Sequence, residues 1–181
     1  MTNKPTVLVL ASGRGERFVA AGGAGSKLHA LLAGKRVLDH TLDAVRASGL
    51  PWHVEDHGHA GMGDSIAAAV RATRDAPGWL VLPGDLPLIA PSSLLAVAAA
   101  LANHHIVVPY FNGTRGHPVG FAAACRDELL DLRGEEGAAR VVRAHAAAEQ
   151  VARIDVDDAG IVTDIDTPAD LAKAQGLLRL Q

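Results

Sequence analysis

The chain has 181 residues, 49% of them apolar but only 3% aromatic, so it has the length of one domain, 1–181, with a core of Ala, Val and Leu. A net charge of −3 with acids and bases interspersed argues against a nucleic-acid surface, and no stretch reaches the ~18 apolar residues of a membrane span. The one cysteine, Cys125, excludes an internal disulfide and suits a reducing compartment; with no signal-like segment ahead of Val7, a cytoplasmic location is expected.

The run Val7-Leu8-Val9-Leu10 has no polar interruption, the pattern of a strand buried on both faces of a parallel sheet. Ala11, Ser12, Gly13, Arg14 and Gly15 follow, and Arg17 and Lys27 complete a cationic loop. Ser12, Gly13 and Gly15 carry no bulky β-carbon, so backbone N–H groups can approach a ligand closely; beside fixed positive charge they suit a polyphosphate. Two better-known glycine loops do not fit. The dinucleotide fingerprint would need glycine where Phe18 stands, and Gly34-Lys35-Arg36 lacks the Ser or Thr of a P-loop.

Val37, Leu38, Thr41, Leu42 and Val45 recur at helical spacing until Gly49 and Pro51. Trp52-His53-Val54-Glu55 has the character of a short strand, and residues 56–63 are too glycine-rich for regular structure. His53, His57 and His59 have neither helical nor finger spacing and no cysteine beside them, so a solvated loop is expected rather than zinc. Asp64 or Ser65 should cap a helix over 66–74, with Gly63 leaving the first N–H groups open to an anion. Trp79-Leu80-Val81-Leu82 is a further buried strand. Gly84 and Asp85 then set a carboxylate just past its carboxyl end, where open α/β sheets place ligand contacts.

Pro91 and Ser92 begin an alanine-rich helix to Leu101, and Ile106-Val107-Val108 is the next strand. Residues 112–118 form a polar turn, left through Val119-Gly120-Phe121; Arg115 and His117 belong to that loop and are not needed for the core. Cys125, at a helix start without a partner base, is expected to pack. Residues 129–132 and those from about Ala138 should be helical, separated by Gly134-Glu135-Glu136-Gly137. Residues 151–156 alternate as an edge strand, and an extended 161–166 would put Asp164 and Asp166 on one face, with Asp166 at its top. Thr167 at N-cap, Pro168 at N1 and Asp170 at N3 open a last helix. The alternation predicts an α/β fold, a three-layer α/β/α sheet that is mainly parallel and allows an antiparallel edge.

If Asp85 and Asp166 are neighbours, they can share one Mg²⁺ and leave positions for phosphate oxygens. The opening loop would wrap the β- and γ-phosphates, and an acceptor would meet the α-phosphorus in line with departing pyrophosphate. No Ser-His-Asp or Cys-His arrangement competes with that reading.

Five ordered motifs resemble the MobA-like nucleotidyltransferases, especially the molybdenum cofactor cytidylyltransferases and guanylyltransferases. They are Leu10-Ala11-Ser12-Gly13 with residues 14–18 and Lys27; Gly61-Met62-Gly63-Asp64-Ser65; Gly84-Asp85-Leu86-Pro87; Arg115-Gly116-His117-Pro118; and Asp164-Ile165-Asp166-Thr167-Pro168-Ala169-Asp170-Leu171. The resemblance implies a Rossmann-like nucleotidyltransferase acting on CTP or GTP, with Leu10, Ala11, Ser12, Gly13, Arg14, Gly15, Lys27, Gly63, Ser65, Gly84 and Asp85 at the nucleotide. It implies Arg14, Lys27 and Asp85 in catalysis, Asp85 and Asp166 on Mg²⁺, and Arg115, Gly116, His117 and Pro118 toward molybdopterin, whose terminal phosphate attacks. A recipient molybdoenzyme is the further partner it suggests.

Three features depart from the family pattern: residues 19–26 intervene before Lys27 (with Lys35 as runner-up), the segment between Gly49 and Gly61 is short, and Ser12 stands where alanine marks CTP and glycine marks GTP enzymes. The His-Pro pair and Asp166 favour CMP over GMP transfer. The competing expectations are a sugar-phosphate or polyol-phosphate nucleotidyltransferase, and a catalytically silent nucleotide- or cofactor-binding chaperone.

Overall fold

Strands buried on both faces need continuous apolar sequence, and those runs form the centre of the molecule. The computed structural model describes residues 3–13 and 15–179. In chain order it has β1 (Thr6–Leu10), α1 (Glu16–Ala20), β2 (Leu31–Leu32), β3 (Lys35–Arg36), α2 (Val37–Ser48), β4 (Trp52–Glu55), α3 (Met62–Ala72) and β5 (Gly78–Pro83). There follow α4 (Pro91–Leu101), β6 (Ile106–Phe111), β7 (Thr114–Arg115), β8 (Val119–Ala122), α5 (Arg126–Leu130), α6 (Ala139–Ala147), β9 (Val151–Asp155) and α7 (Pro168–Leu178).

The main sheet runs β4, β1, β5, β8, β6. Both β8 and β9 pair Ile106 and Val107, so they lie on opposite edges of β6, and β9 forms the sheet's edge as its alternating sequence implies. The pairs β1–β4, β1–β5 and β6–β9 are parallel. The antiparallel part is mainly internal: β8 is antiparallel to both β5 and β6, and the two-residue β7 is antiparallel to the end of β6. The short turn through β7 returns the chain beside β6 and inserts β8 between two parallel strands, so the reversal is not at an edge.

Two cores lie on the two faces. Leu8, Trp79, Val81 and Phe121 pack with Ile66 and Val70 of α3, Leu129 of α5 and Val141 of α6. Val7, Val9, Leu80 and Leu82 pack with Leu42 and Val45 of α2 and Leu94 and Val97 of α4. This alternation of inward faces along β1 and β5 produces the three layers. A smaller core over the sheet's end joins Phe18, Leu32, Val37, Ile165 and Ala174.

Two expectations are corrected. Helix α3 begins at Met62 with Gly61 at N-cap, so neither Asp64 nor Ser65 caps it. The Asp64 carboxylate instead accepts from the Gly134 N–H at 3.0 Å, and Ser65 Oγ donates to the Gly61 carbonyl at 3.2 Å. Residues 161–166 form no strand: a 3₁₀ turn, Ala159–Val162, leads into irregular backbone. Among the described residues the segment pairs with no strand; the Ile165 N–H donates to the Asp85 carbonyl and the Ile161 carbonyl accepts from the His117 N–H. Thr167 caps α7 in a complete capping box with Asp170, as expected.

Close approach decides which glycines matter. A Cβ on Gly63 would stand 2.8–2.9 Å from the Arg133 backbone, whereas exposed Gly176 in α7 meets nothing within 4 Å. Gly63→Ala should therefore destabilise the protein by about 1–3 kcal/mol, while Gly176→Ala stabilises it by about 0.5–1 kcal/mol, read from urea unfolding midpoints.

Candidate active site

Because β1, β4 and β5 are parallel, their carboxyl ends open at one end of the sheet. At Gly84 the chain leaves β5 against β1: its N–H donates to the Leu10 carbonyl at 2.9 Å, and an added Cβ would stand 2.9 Å from Leu38 Cδ1. Thr41 Oγ1 holds the Gly84 carbonyl at 2.9 Å. Asp85 is thereby set beside the loop that follows β1.

Asp166 reaches the same point without a strand. The Ile165 N–H donates to the Asp85 carbonyl at 3.0 Å. Upstream, Asp158 accepts from the Ala90 N–H at 2.9 Å and from Ser93 Oγ at 2.6 Å. Gly160 lies so close to Leu88 that a Cβ would come within 2.1 Å of its carbonyl oxygen. Residues 158–166 are thus laced onto the loop carrying Asp85.

Lys27 stands between the two acids. Its Nζ is 2.6 Å from Asp85 Oδ2 and 2.6 Å from Asp166 Oδ1, while Arg17 reaches Asp166 Oδ2 at 3.0 Å. The intervening residues 19–26 do not displace this lysine, and the runner-up Lys35 pairs with Asp43 at the surface. Burial alone would lower the Lys27 pKa, but Asp85 and Asp166 outweigh it and hold the ammonium above its ordinary value. The bond from Lys27 holds Asp166 below the usual carboxylate range, whereas burial, with Asp85 and Asp166 nearby, raises Asp164.

The residues fit a hard divalent cation. One carboxylate oxygen from each of Asp85, Asp164 and Asp166 lies within 4.8 Å of the others. Asp85 Oδ1 is buried with no hydrogen-bond partner among the described residues, an acceptor that an ion would satisfy.

A cleft of about 420 Å³ opens over these groups. Of the residues expected at the nucleotide or metal, Leu10, Ser12, Gly13, Gly15, Lys27, Ser65, Gly84, Asp85 and Asp166 line it. Ser12 and Ser65 hydroxyls meet at 2.7 Å across its wall. Arg14 lies outside the described residues. Ala11 does not line the cleft; its N–H is bound to the Glu55 carbonyl at 2.8 Å. Gly63 is also outside the lining, and its N–H donates to the Gly134 carbonyl at 2.7 Å, so it is not open to an anion.

The turn of Arg115, Gly116, His117 and Pro118 contributes nothing to the lining. It packs on the Asp164 segment: the His117 N–H donates to the Ile161 carbonyl at 3.0 Å, and a Cβ on Gly116 would stand 2.6 Å from Ile161 Cδ1. His117 is half-buried, not a solvated loop residue; burial, aided by Arg115, lowers its pKa to about 4, so its ring is neutral at pH 7.

Sequence reasoning missed Phe18, His59, Met62 and Glu135 in the lining. His59 had a signal, its place two residues before Gly61; Glu135 had none, since only the packing of 133–135 on Gly61 and Gly63 brings it there. Nor are His53, His57 and His59 a merely solvated group. All three turn ring nitrogens onto Glu55, at 3.4, 2.9 and 3.0 Å. Burial would raise the Glu55 carboxyl, but the three histidine bonds overcome it and lower the pKa to about 2.

The family model for the MobA-like NTP transferase domain matches residues 43–151. The chain belongs to this family. The matched span holds the second to fourth motifs; the glycine loop and the Asp164–Asp170 motif lie outside it, and only the tertiary structure brings them together. Purine catabolism protein PucB of Bacillus subtilis (strain 168) is 31% identical over 118 residues, 64% of this chain and 57% of PucB, so the match spans little more than half of that protein. Among solved structures, Rv0371c of Mycobacterium tuberculosis H37Rv superposes with a TM-score of 0.80 at 24% identity, covering 97% of this chain and 99% of that one. A complex of Rv0371c with manganese gives 0.75 at 23% identity, over 96% and 98%. The nucleotidyl transferase Mth528 of Methanothermobacter gives 0.79 at 18% identity, over 99% and 100%. At these identities the structural likeness establishes the fold alone, and the family rests on the match to residues 43–151. Among the described residues no helix is long and apolar enough to cross a membrane.

Removing Lys27 leaves the three carboxylates facing one another, so Lys27→Met should cost roughly 2–4 kcal/mol at pH 7. Asp166 is depressed below its ordinary 3.8, so its stabilisation is present above that value and lost as pH falls further. Lys27 is raised above 10.5, so its share is present below that value and lost as pH rises through the folded pKa. Unfolding free energies of both proteins should therefore converge at either extreme of pH, and millimolar Mn²⁺ should restore part of the variant's deficit at pH 7.

Proposed function

We propose that this MobA-like protein moves a nucleoside monophosphate, from CTP in preference to GTP, onto the terminal phosphate of molybdopterin and releases pyrophosphate, with Mg²⁺ as cofactor. The observation that carries this reading is Lys27 held between Asp85 and Asp166, opposite the Ser12–Gly15 loop in one cleft. Asp85 and Asp166 would hold the ion, with Asp164 beside them. Bound there, it would offset charge developing on the phosphates and the departing pyrophosphate.

The chain's own groups then have separate tasks. The loop with Ser12, Gly13 and Gly15 supports the triphosphate through backbone N–H groups. Lys27, released from its two acids, turns its ammonium to the terminal phosphates, and Arg17 adds charge from the rim. The wall of His59, Met62 and the Ser12–Ser65 pair receives the base. An acceptor phosphate oxygen attacks the α-phosphorus, the bond to the bridging oxygen breaks, and pyrophosphate leaves; no side-chain nucleophile is required.

The family resemblance of residues 115–118, which flank Asp164, supports the pterin, and the manganese complex of Rv0371c supports a divalent ion as cofactor. A recipient molybdoenzyme would take the product. The second reading, a sugar-phosphate or polyol-phosphate acceptor, is favoured by the absence of residues 115–118 from the cleft lining.

Incubation with CTP or GTP, Mg²⁺ and molybdopterin should yield pyrophosphate and a pterin dinucleotide by mass spectrometry, more from CTP, and Asp85→Asn should lower the rate by about 10²-fold or more. Turnover with a sugar phosphate and none with the pterin would replace this reading by the second; binding without pyrophosphate release would make the protein a chaperone. Lys27→Ala should weaken triphosphate binding about tenfold more than monophosphate binding in calorimetry, since its charge meets the terminal phosphates. Equal losses would place Lys27 elsewhere.

A further inference from the structure

The cleft lies at the carboxyl ends of the parallel strands; a second group of ligand-type side chains lies at their amino ends. His105 directly precedes β6, Cys125 follows antiparallel β8, Glu128 is on α5 and His145 is on the last turn of α6. Cys125 is fully buried, and its Sγ, a Glu128 carboxylate oxygen and a His145 ring nitrogen all lie within 4.8 Å of one another. His145 Nε2 is 2.7 Å from Glu128 Oε1, and the other ring nitrogen, Nδ1, is buried without a hydrogen-bond partner among the described residues. The Cys125 thiol donates to the His105 carbonyl over a long 3.6 Å. The ring of His105 stands on the exposed side, its centroid 6.0 Å from that of His145.

We infer that Cys125, Glu128 and His145, with the fourth position open toward His105, form a second metal site, one for a borderline-soft divalent cation of which zinc is the type. The donor set decides the class of ion: a sulfur, an imidazole and a carboxylate match zinc, whereas the all-oxygen group of Asp85, Asp164 and Asp166 suits a hard cation. Zinc–ligand bonds of about 2.0–2.3 Å place tetrahedral ligands roughly 3.3–3.8 Å apart, so Cys125 and the other two ligands need to approach by up to about 1 Å while the His145–Glu128 pair, at 2.7 Å, parts slightly. Glu128 is exposed and His145 sits in the final turn of its helix, so both have room to move inward.

A reactive thiol is the competing use of Cys125. Burial, reinforced by Glu128, pushes its pKa to about 11, which leaves it protonated and unreactive at pH 7. On metal binding the thiol releases its proton to solvent and ligates as thiolate; His145 ligates as neutral imidazole and Glu128 as carboxylate. The bound ion would tie the end of the sheet to α5 and α6. Leu129 of α5 shares a core with Ile66 of α3, whose first turn lines the cleft, so the tie supports the cleft from behind.

Because Cys125 is the chain's only cysteine, a thiolate signal has one source. Full-length protein freed of metal by chelator should take up one Co²⁺ with a thiolate-to-cobalt charge-transfer band in the near ultraviolet, abolished by equimolar Zn²⁺. His145→Gln and Glu128→Gln should each weaken Co²⁺ binding tenfold or more, Cys125→Ser should remove the band, and Asp85→Asn should leave it unchanged. Absence of the band from the parent protein at millimolar Co²⁺ would overturn the proposal. So would a band insensitive to His145→Gln and Glu128→Gln. Should Cys125→Ser not fold, the parent spectrum and these two variants still decide the matter.

Discussion

One ammonium balanced between two carboxylates is the interaction on which the cleft depends. Lys27 arrives from the loop after β1, Asp85 from the end of β5 and Asp166 from the segment before α7, so a single charge ties three distant parts of the chain. Without it, Asp85, Asp164 and Asp166 would place like charges within a few ångströms in a half-buried setting, where repulsion is poorly screened. The same geometry makes the lysine a counter-ion that a divalent cation can replace, which frees its charge for the phosphates.

The rest of the loop is built to keep Lys27 there. Residues 19–26 fold back on themselves. Gly22 has a φ of 92°, a left-handed conformation that a β-carbon would oppose, and Gly23 lies against Phe18, where a Cβ would come within 2.3 Å of the ring. Phe18 is buried with Ile165, so the cationic loop and the acidic segment share one small core. Apolar packing and ion pairing thus act on the same two elements, and the added residues alter the path of the loop without moving its lysine off the acids.

Long-range polar contacts play a comparable part in the frame. Asp158 caps the start of α4 from 65 residues away, Thr41 holds the Gly84 carbonyl, and Glu55 gathers three histidines at the end of β4. Each satisfies groups at strand or helix ends that burial would otherwise leave without water. Two of the groups held in this way, Gly84 and His59, line the cleft, so part of the frame's polar satisfaction also places the site.

The sequence alone determined the features governed by local pattern. Uninterrupted apolar runs marked β1, β5 and β6; the period of the apolar residues marked α2; Pro91 and the Thr167–Asp170 box marked the starts of α4 and α7. Gly84-Asp85 and the loop through Lys27 were legible because chemistry requires those residue types close together in the chain. What only the tertiary structure decided were pairings between distant segments. They put β8 inside the sheet, turned 161–166 into a loop laced onto Asp85, and used Gly63 for close packing on Arg133. They also kept residues 115–118 out of the cleft lining and brought Glu135 into it. The physical reason is that periodicity reports which side of an element meets apolar surroundings, whereas strand partners, backbone close approach and the convergence of charges depend on neighbours that the linear pattern does not contain.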